Sequence, residues 1–190
     1  VVRGHALRAL SALEGERAAG RITAALDDAD PRPRAASAVA LLTAENPDVA
    51  RRAAAVAGQM AGDLRPEIRG EIALALGEGA DPLAAETLIT LLYDHEPAVV
   101  RAALDAIRRR AEAGADNPLY LPILISLTGD RRVAPRARTA LLAFGETAVE
   151  ALVLFMNWED EQIAVRRAVP RILARFGTER AADAIEPLLA

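Results

Sequence analysis

Apolar residues recur along most of this chain at the three- and four-residue intervals of an amphipathic helix. Val100, Leu104 and Ile107 are an example of this spacing. Few segments show the strict alternation of apolar and polar residues that is typical of a strand. We therefore predict an all-α fold in which each helix buries one apolar stripe.

A short motif repeats at a nearly constant interval. It is a small apolar residue or a proline followed by arginine, and it occurs at Val2-Arg3, Pro33-Arg34, Ile68-Arg69, Val100-Arg101, Pro135-Arg136 and Val165-Arg166. Successive arginines of this motif are 30 to 35 residues apart, which is the length of a repeat built from two helices. We expect each motif to lie near the start of the second helix of its repeat.

A first helix fits between successive motifs. The predicted first helices run from Glu16 to Asp27, Asp48 to Met60, Leu83 to Tyr93, Leu119 to Thr128, Thr147 to Trp158 and Glu179 to Leu189. The prolines expected in first helical turns are Pro33, Pro66 and Pro97, and the glycines expected at helix ends are Gly62, Gly77, Gly114, Gly129, Gly145 and Gly177. The similar segments 144–147 and 176–179 predict the same corner twice.

The middle of the chain carries a family resemblance. Leu88-Ile89-Thr90-Leu91-Leu92, followed by Asp94-His95-Glu96-Pro97-Ala98-Val99-Val100-Arg101, resembles the end of the first helix and the start of the second in HEAT-like repeats of the bacterial PBS-lyase type. The resemblance covers nearly the whole chain. It implies a right-handed α-solenoid of about six helical pairs that spans residues 1–190 as a single domain.

The resemblance also implies a ladder of Arg–Asp pairs. In such families an acidic residue of the turn pairs with the arginine of the second helix, within or between repeats. The corresponding residues here are Arg34, Arg69, Arg101, Arg136 and Arg166, with Asp30, Asp63, Asp94, Asp130 and Asp160. These residues are therefore expected to have a structural role rather than a catalytic one.

The segment from Val165 to Thr178 has a narrower resemblance. It is similar to HEAT regions that follow nucleotide-transporter-like membrane domains in one bacterial group. That resemblance implies a cytosolic connector or regulatory segment. Because neither end of the chain has an evident polar cap for the terminal helices, we expect a fragment of a longer protein, or ends that meet another domain or another copy.

Composition limits the possible chemistry. The chain has no cysteine, which excludes disulfides and thiolate sites and fits a cytoplasmic location. It also has neither a long apolar run nor the layout of a signal peptide. The basic residues, apart from two histidines, are all arginine, and this bias together with the alanine content is typical of a GC-rich bacterial genome.

Candidate catalytic and metal-binding residues are few. His5 and His95 are the two histidines, too few to assemble the His-Glu pairs by which HEAT-like deoxyhypusine hydroxylases bind iron. The serines have no nearby histidine, and Gly77-Glu78-Gly79 lacks the further glycine and the preceding strand of a dinucleotide-binding loop. We predict a protein that is not an enzyme and has no cofactor and no metal.

Arginines concentrate in the C-terminal half, at Arg108-Arg109-Arg110, Arg131-Arg132, Arg166, Arg167, Arg171 and Arg175. They raise the alternative of a DNA-binding or DNA-repair solenoid, in which only Trp158 could supply the indole. The net charge of −4 opposes it. Nucleic acid is therefore the less favoured partner.

Two predicted first helices are apolar on more than one face, at 119–127 and 149–158. Either they are enclosed between neighbouring repeats, or part of their surface binds a partner. For the second case the candidate contact residues are Phe155, Trp158, Leu152, Met156 and Tyr120. We expect a non-catalytic scaffold that binds a protein or a neighbouring domain.

Overall fold

The computed structural model describes residues 16–78, 84–115, 117–156 and 163–186. Within these ranges the chain forms eleven α-helices, two 3-10 helices and no strand. The helices are α1 (Glu16–Ala24), α2 (Pro31–Leu41), α3 (Pro47–Ala61), α4 (Pro66–Leu76), α5 (Ala84–Leu92), α6 (Pro97–Glu112), α7 (Leu121–Leu127), α8 (Ala134–Leu142), α9 (Glu146–Met156), α10 (Ile163–Leu173) and α11 (Glu179–Ile185). The 3-10 helices are Ala25–Asp27 and Pro118–Tyr120.

The odd-numbered helices are the first helices predicted from the sequence, and they match the predicted ranges to within a few residues where these are described. The even-numbered helices are the second helices. They contain the motif arginines Arg34, Arg69, Arg101, Arg136 and Arg166. Arg3 and Leu189 lie outside the described residues.

Local signals explain where several helices begin. Before α2 and α3, the side chains of Asp30 and Asn46 accept hydrogen bonds from the backbone N–H two residues later, at 3.0 and 2.9 Å. They thereby act as N-caps. Proline occupies the first position of α2, α3, α4 and α6, where its missing N–H costs nothing. Because α2 begins at Pro31, Pro33 lies within the first turn.

The chain divides into two compact units after Ala106, which lies in α6. In unit 1, α2 packs against α3 and α4, α4 packs against α5, and α3 contacts α5. First helices therefore stack on first helices, and second helices stack on second helices. The core of this unit is aliphatic and rich in alanine, as shown by the full burial of Ala38, Ala53, Ile72 and Leu88.

Gly77, at the C-terminal end of α4, allows a close approach to α6. A Cβ atom at Gly77 would lie only 2.6 Å from the Cα atom and 2.8 Å from the Cβ atom of Ala106. Carbon atoms at optimal contact are about 3.5 to 4.0 Å apart. Glycine is therefore required here by packing, since its φ of −69° is open to any residue.

In unit 2, α7 packs against α8 and α9 packs against α10, while α9 also contacts α7 and α11. Leu124, Leu141, Val149 and Leu173 are fully buried in this unit. Unit 2, like unit 1, is therefore built from pairs of helices.

The two similar corners predicted from the sequence share a backbone conformation. Gly145 and Gly177 follow Phe144 and Phe176 at the ends of second helices, and their φ values are 54° and 65°. This left-handed region is readily adopted by glycine.

The predicted all-α fold of helical pairs is confirmed within the described residues. None of the described helices is both long enough and apolar enough to cross a membrane.

Candidate binding surface

A buried ion pair joins two neighbouring repeats in unit 1. Arg69 of α4 donates to Asp94, which precedes α6, through Nε to Oδ2 at 2.6 Å and through Nη2 to Oδ1 at 2.9 Å. Each of the two side chains is only 7% exposed. Arg69 Nη1 also donates to the backbone carbonyls of Asp63 and Leu64, at 2.8 and 3.2 Å. One guanidinium therefore binds the corner between α3 and α4 to the corner between α5 and α6.

The carboxylate of Asp94 also accepts a hydrogen bond from the backbone of its own corner. Its Oδ1 atom accepts a hydrogen bond of 2.8 Å from the backbone N–H of Glu96. Burial raises the pKa of Asp94, but the hydrogen bonds from Arg69 and Glu96 outweigh it, so that the pKa lies below its ordinary value. The carboxylate is charged near neutral pH and compensates the buried guanidinium.

The equivalent aspartates of two other corners are bound locally instead. Asp63 accepts hydrogen bonds from Arg65 Nε and Nη2 at 3.0 and 3.1 Å. Asp130 accepts one from Arg132 Nη2 at 2.7 Å. These side-chain hydrogen bonds lower the pKa of each aspartate to about 2. At these two corners the arginine two residues after the aspartate binds its carboxylate, whereas Arg32, two residues after Asp30, pairs with Glu71. Asp94 is followed by Glu96 instead and pairs with Arg69.

Arg34 occupies the position of Arg69 in the preceding repeat, where the aspartate of the next corner is bound by Arg65. The Nη1 atom of Arg34 donates to the Asp28 carbonyl at 2.8 Å, as Arg69 does to the carbonyl of Asp63. Within the described residues it forms no ion pair with Asp63, although it is near enough to lower the pKa of that carboxyl. Arg34 therefore binds a backbone carbonyl of its own corner, as Arg69 does, but not the aspartate of the next corner.

A shift of one residue distinguishes Arg101 from Arg69. Arg69 is the third residue after the proline that begins its helix, and Arg101 is the fourth. The position equivalent to Arg69 is occupied by Val100, which is buried. Arg166 is exposed, and Asp160 lies outside the described residues. The structure contains an Arg–Asp ion pair between repeats at Arg69 and Asp94 but none between Arg34 and Asp63. The pairing of Arg101, Arg136 and Arg166 stays a prediction.

Large exposed side chains flank the Arg69 contact. Leu64 is 96% exposed and Tyr93 is 72% exposed. Leu64 accepts a hydrogen bond from Arg69 through its carbonyl, and Tyr93 directly precedes Asp94. Leu64 and Tyr93 are therefore exposed to solvent on two neighbouring corners, and the buried Arg69 connects these corners. We name Leu64 and Tyr93 the corner surface.

In unit 2 the predicted contact residues need correction. Leu152 and Tyr120 are fully buried, and Phe155 is buried as well. A side chain already enclosed by its own fold cannot cover a partner, so burial argues against all three as contacts. Met156 is half-buried, and Trp158 lies outside the described residues.

The residue that α9 presents to solvent is Leu154, which is 73% exposed. Sequence reasoning missed it because it treated the apolar run as one surface. Residues two apart in a helix point to nearly opposite sides, so the burial of Leu152 implies the exposure of Leu154. Leu119 and Ile163, which are both exposed, are the other large apolar groups on the described surface of this unit.

The arginines of the C-terminal half differ in environment. Arg108 pairs with Glu112 at 2.6 Å. Arg110 is buried near Tyr120, where burial raises the pKa of the tyrosine more than the guanidinium lowers it. In contrast, Arg166, Arg167, Arg171 and Arg175 on and just after α10 are all exposed.

The polar groups available for catalysis are dispersed. No group of three or more His, Cys, Asp or Glu residues within the described ranges could hold a metal ion. His95 is exposed, with Nδ1 3.6 Å from Asp94 Oδ1. Ser37 is fully buried and Ser126 is exposed. His5 and Ser11 lie outside the described residues.

Comparison with known proteins agrees with this architecture. Residues 58–145 match the family model described as HEAT repeats. This range extends from within α3 to the corner after α8 and includes both Arg69 and Asp94. HEAT repeats generally serve as scaffolds with extended binding surfaces for proteins.

Solved structures are similar at low sequence identity. An engineered protein is 21% identical over 89% of this chain and 84% of its own, with a TM-score of 0.48. Human deoxyhypusine hydroxylase in complex with glycerol is 22% identical over 93% of this chain and 68% of its own, with a TM-score of 0.47. No curated protein matches the chain.

Proposed function

We propose that this chain is a non-catalytic scaffold that binds another protein or a neighbouring domain, and that the corner surface of unit 1 is a contact site. The observation that carries the proposal is the exposure of Leu64 and Tyr93 on two corners held by the same buried guanidinium. These side chains contribute little to the core of their own unit. Their exposure leaves both side chains available to a partner.

The energetics of such a contact are favourable. Burial of one large apolar side chain contributes about 1.5 to 3 kcal/mol, and tyrosine is among the residues that dominate binding energy at interfaces. Arg69 already fixes the backbone carbonyls of Asp63 and Leu64 and the side chain of Asp94, which lowers the cost of ordering on binding. Leu64 and Tyr93 would therefore strengthen a larger contact rather than form a site by themselves.

Affinity capture combined with crosslinking tests this function. A photoreactive amino acid in place of Tyr93 should crosslink to one predominant protein in cells that encode the chain, and Leu64→Ser should reduce that product. The matched control is the same photoreactive residue in place of Leu119, which is similarly exposed but lies in unit 2. Equal crosslinking to the same protein from both positions, or none from Tyr93, would contradict the assignment of the corner surface.

A more specific role follows from the resemblance of residues 165–178 to transporter-associated HEAT regions. In this role the chain is a cytosolic regulatory segment of a bacterial membrane protein. The test is the sequence of the gene on both sides of these residues. A predicted membrane domain or cyclic-nucleotide-binding domain in the same reading frame would support the role, and a complete open reading frame without either would refute it.

DNA binding is the second candidate function, and the exposed arginines of α10 favour it. With so few arginines on this face, only a few phosphates could be neutralised, so binding to duplex DNA should be weak and should disappear near physiological salt. Fluorescence anisotropy with a labelled duplex across a salt series measures this. Sub-micromolar binding that depends on a lesion would favour DNA repair over the scaffold function.

A further inference from the structure

Charge is segregated between the helices of unit 2. The second helices α8 and α10 contain arginines and no acidic residue, and the turn after α10 adds Arg175. The first helices α7 and α9 contain no basic residue, and α9 carries Glu146 and Glu150. The basic residues of this unit are thus concentrated on one of its two sets of helices.

The arginines of α10 form a stripe. Arg167 and Arg171 are four residues apart, which places them on one helical face about 6 Å apart along the axis. Arg175 follows after four more residues, in the turn that ends the helix, and Arg166 flanks the stripe. We name Arg167, Arg171 and Arg175 the arginine stripe.

The residues of the arginine stripe lack the ion pairs that several other exposed arginines form. Arg51, Arg52, Arg65, Arg132 and Arg180 are exposed, and each of them forms an ion pair. Throughout the described part of the chain, none of the three stripe residues forms one. These three exposed guanidinium groups are therefore available to an external anion.

We infer that the arginine stripe binds an acidic helix of a partner protein, one that carries Asp or Glu at positions i, i+4 and i+8. This inference rests on the proposed scaffold function and adds the chemistry of a partner. Carboxylates at that spacing lie on one helical face about 6 Å apart, which matches the spacing of Arg167 and Arg171 on α10, and the third carboxylate would face Arg175 in the turn that follows. Arginine also binds carboxylates through paired hydrogen bonds, which makes the match geometric as well as electrostatic.

The same surface is poorly suited to nucleic acid. Single strands bind through aromatic side chains on which the bases stack, whereas Phe176, the aromatic residue adjacent to Arg175 in the sequence, is half-buried. A duplex-binding protein usually contacts about six to ten phosphates, more than this stripe can reach.

Synthetic peptides test the inference directly. The probe is a fluorescent alanine-based helix about 20 residues long, sufficient for helix formation, with Glu at i, i+4 and i+8. One comparison peptide has the same composition with the three Glu residues on different faces, and a labelled DNA duplex of similar length is the nucleic-acid probe. Binding is measured by anisotropy at about 50 mM NaCl, where exposed ion pairs are only partly screened.

We expect the aligned peptide to bind more tightly than the scrambled peptide and the duplex. Replacement of Arg167, Arg171 and Arg175 by Gln should weaken that binding about tenfold or more, since each exposed pair contributes modestly. The control with Arg51→Gln, Arg52→Gln and Arg65→Gln removes the same charge from unit 1 and should change affinity less than about threefold. Thermal unfolding of both triple variants verifies that they remain folded.

Three outcomes would overturn the inference. They are equal binding of the aligned and scrambled peptides, tighter binding of the duplex, and an equal effect of the two triple variants. The Gln substitutions in the stripe leave the corner surface of unit 1 intact. Crosslinking from position 93 therefore reports on the scaffold function independently of this experiment.

Discussion

Arg69 and Asp94 meet through two hydrogen bonds, Nε to Oδ2 at 2.6 Å and Nη2 to Oδ1 at 2.9 Å, although 25 residues separate them in the sequence. Both side chains are buried, and the guanidinium also binds the carbonyls of the preceding corner. This contact connects two repeats, and it underlies the exposed pair Leu64 and Tyr93. Its loss should affect stability and binding together.

Replacement of Arg69 by Met should lower the free energy of unfolding by about 3 kcal/mol or more, because it leaves the carboxylate of Asp94 buried without its counter-ion. Urea unfolding followed by circular dichroism measures the change. The matched control is Arg51→Met, which removes an exposed ion pair with Asp48 and should cost less than about 1 kcal/mol. Similar losses in the two variants would mean that the buried pair has no special structural role.

Replacement of Glu96 by Arg should provide Asp94 with a second arginine that competes with Arg69 for its carboxylate. An arginine two residues after the aspartate binds it locally at Asp63 and Asp130, so the new side chain should compete with Arg69. We expect the coupling energy between Arg69 and Asp94, measured in a double-mutant cycle, to fall to less than half of its value in the unaltered chain. Glu96→Gln is the control and should preserve the coupling. An unchanged coupling in Glu96→Arg would exclude the competition.

Stability should depend on pH through Asp94, whose pKa is lowered in the folded chain. A carboxyl with a lowered folded pKa contributes stability above its unfolded pKa of about 3.9, and this contribution is lost as the pH falls through the folded value. The difference in unfolding free energy between the unaltered chain and Asp94→Asn should therefore be constant from about pH 7 to 5 and shrink below about pH 4. Asp63 and Asp130 titrate in both proteins and largely cancel. A difference that grows as the pH falls would contradict the assignment.

Replacement of Gly77 by Ala should destabilise unit 1 by about 1 to 3 kcal/mol, because the added methyl group overlaps Ala106 and the two helices must move apart. Gly70 in the same helix has nothing within 4 Å of its hypothetical Cβ atom. Gly70→Ala should therefore stabilise the chain by up to about 1 kcal/mol, through helix propensity. Thermal and urea unfolding compare the two variants, and effects of the same sign would show that α4 and α6 are not in close contact there.

Most of the secondary structure could be predicted from the sequence, because its signals are local. The arginine motif placed α2, α4, α6, α8 and α10, and the glycines of two similar segments marked the corners at Gly145 and Gly177. Helix caps and apolar spacing act over a few residues, so they predict helices without information about which other helices pack nearby.

The candidate site was predicted less well. Phe155, Leu152 and Tyr120 belong to apolar helices, as the sequence indicated, but they are buried, while Leu154 is exposed. Which side of an apolar helix remains in solvent depends on the helices packed around it. For α9 those are α7, α10 and α11, and no local signal identifies them.

The sequence by itself determined that this protein is a series of helical pairs with an arginine near the start of each described second helix. Tertiary structure alone decided which arginine became buried and which carboxylate it met. Arg69 binds Asp94, whereas Asp63 is bound by Arg65. The physical reason is that an ion pair forms between the groups that packing brings within hydrogen-bonding distance, and residues far apart in the sequence acquire that distance only when the repeats stack.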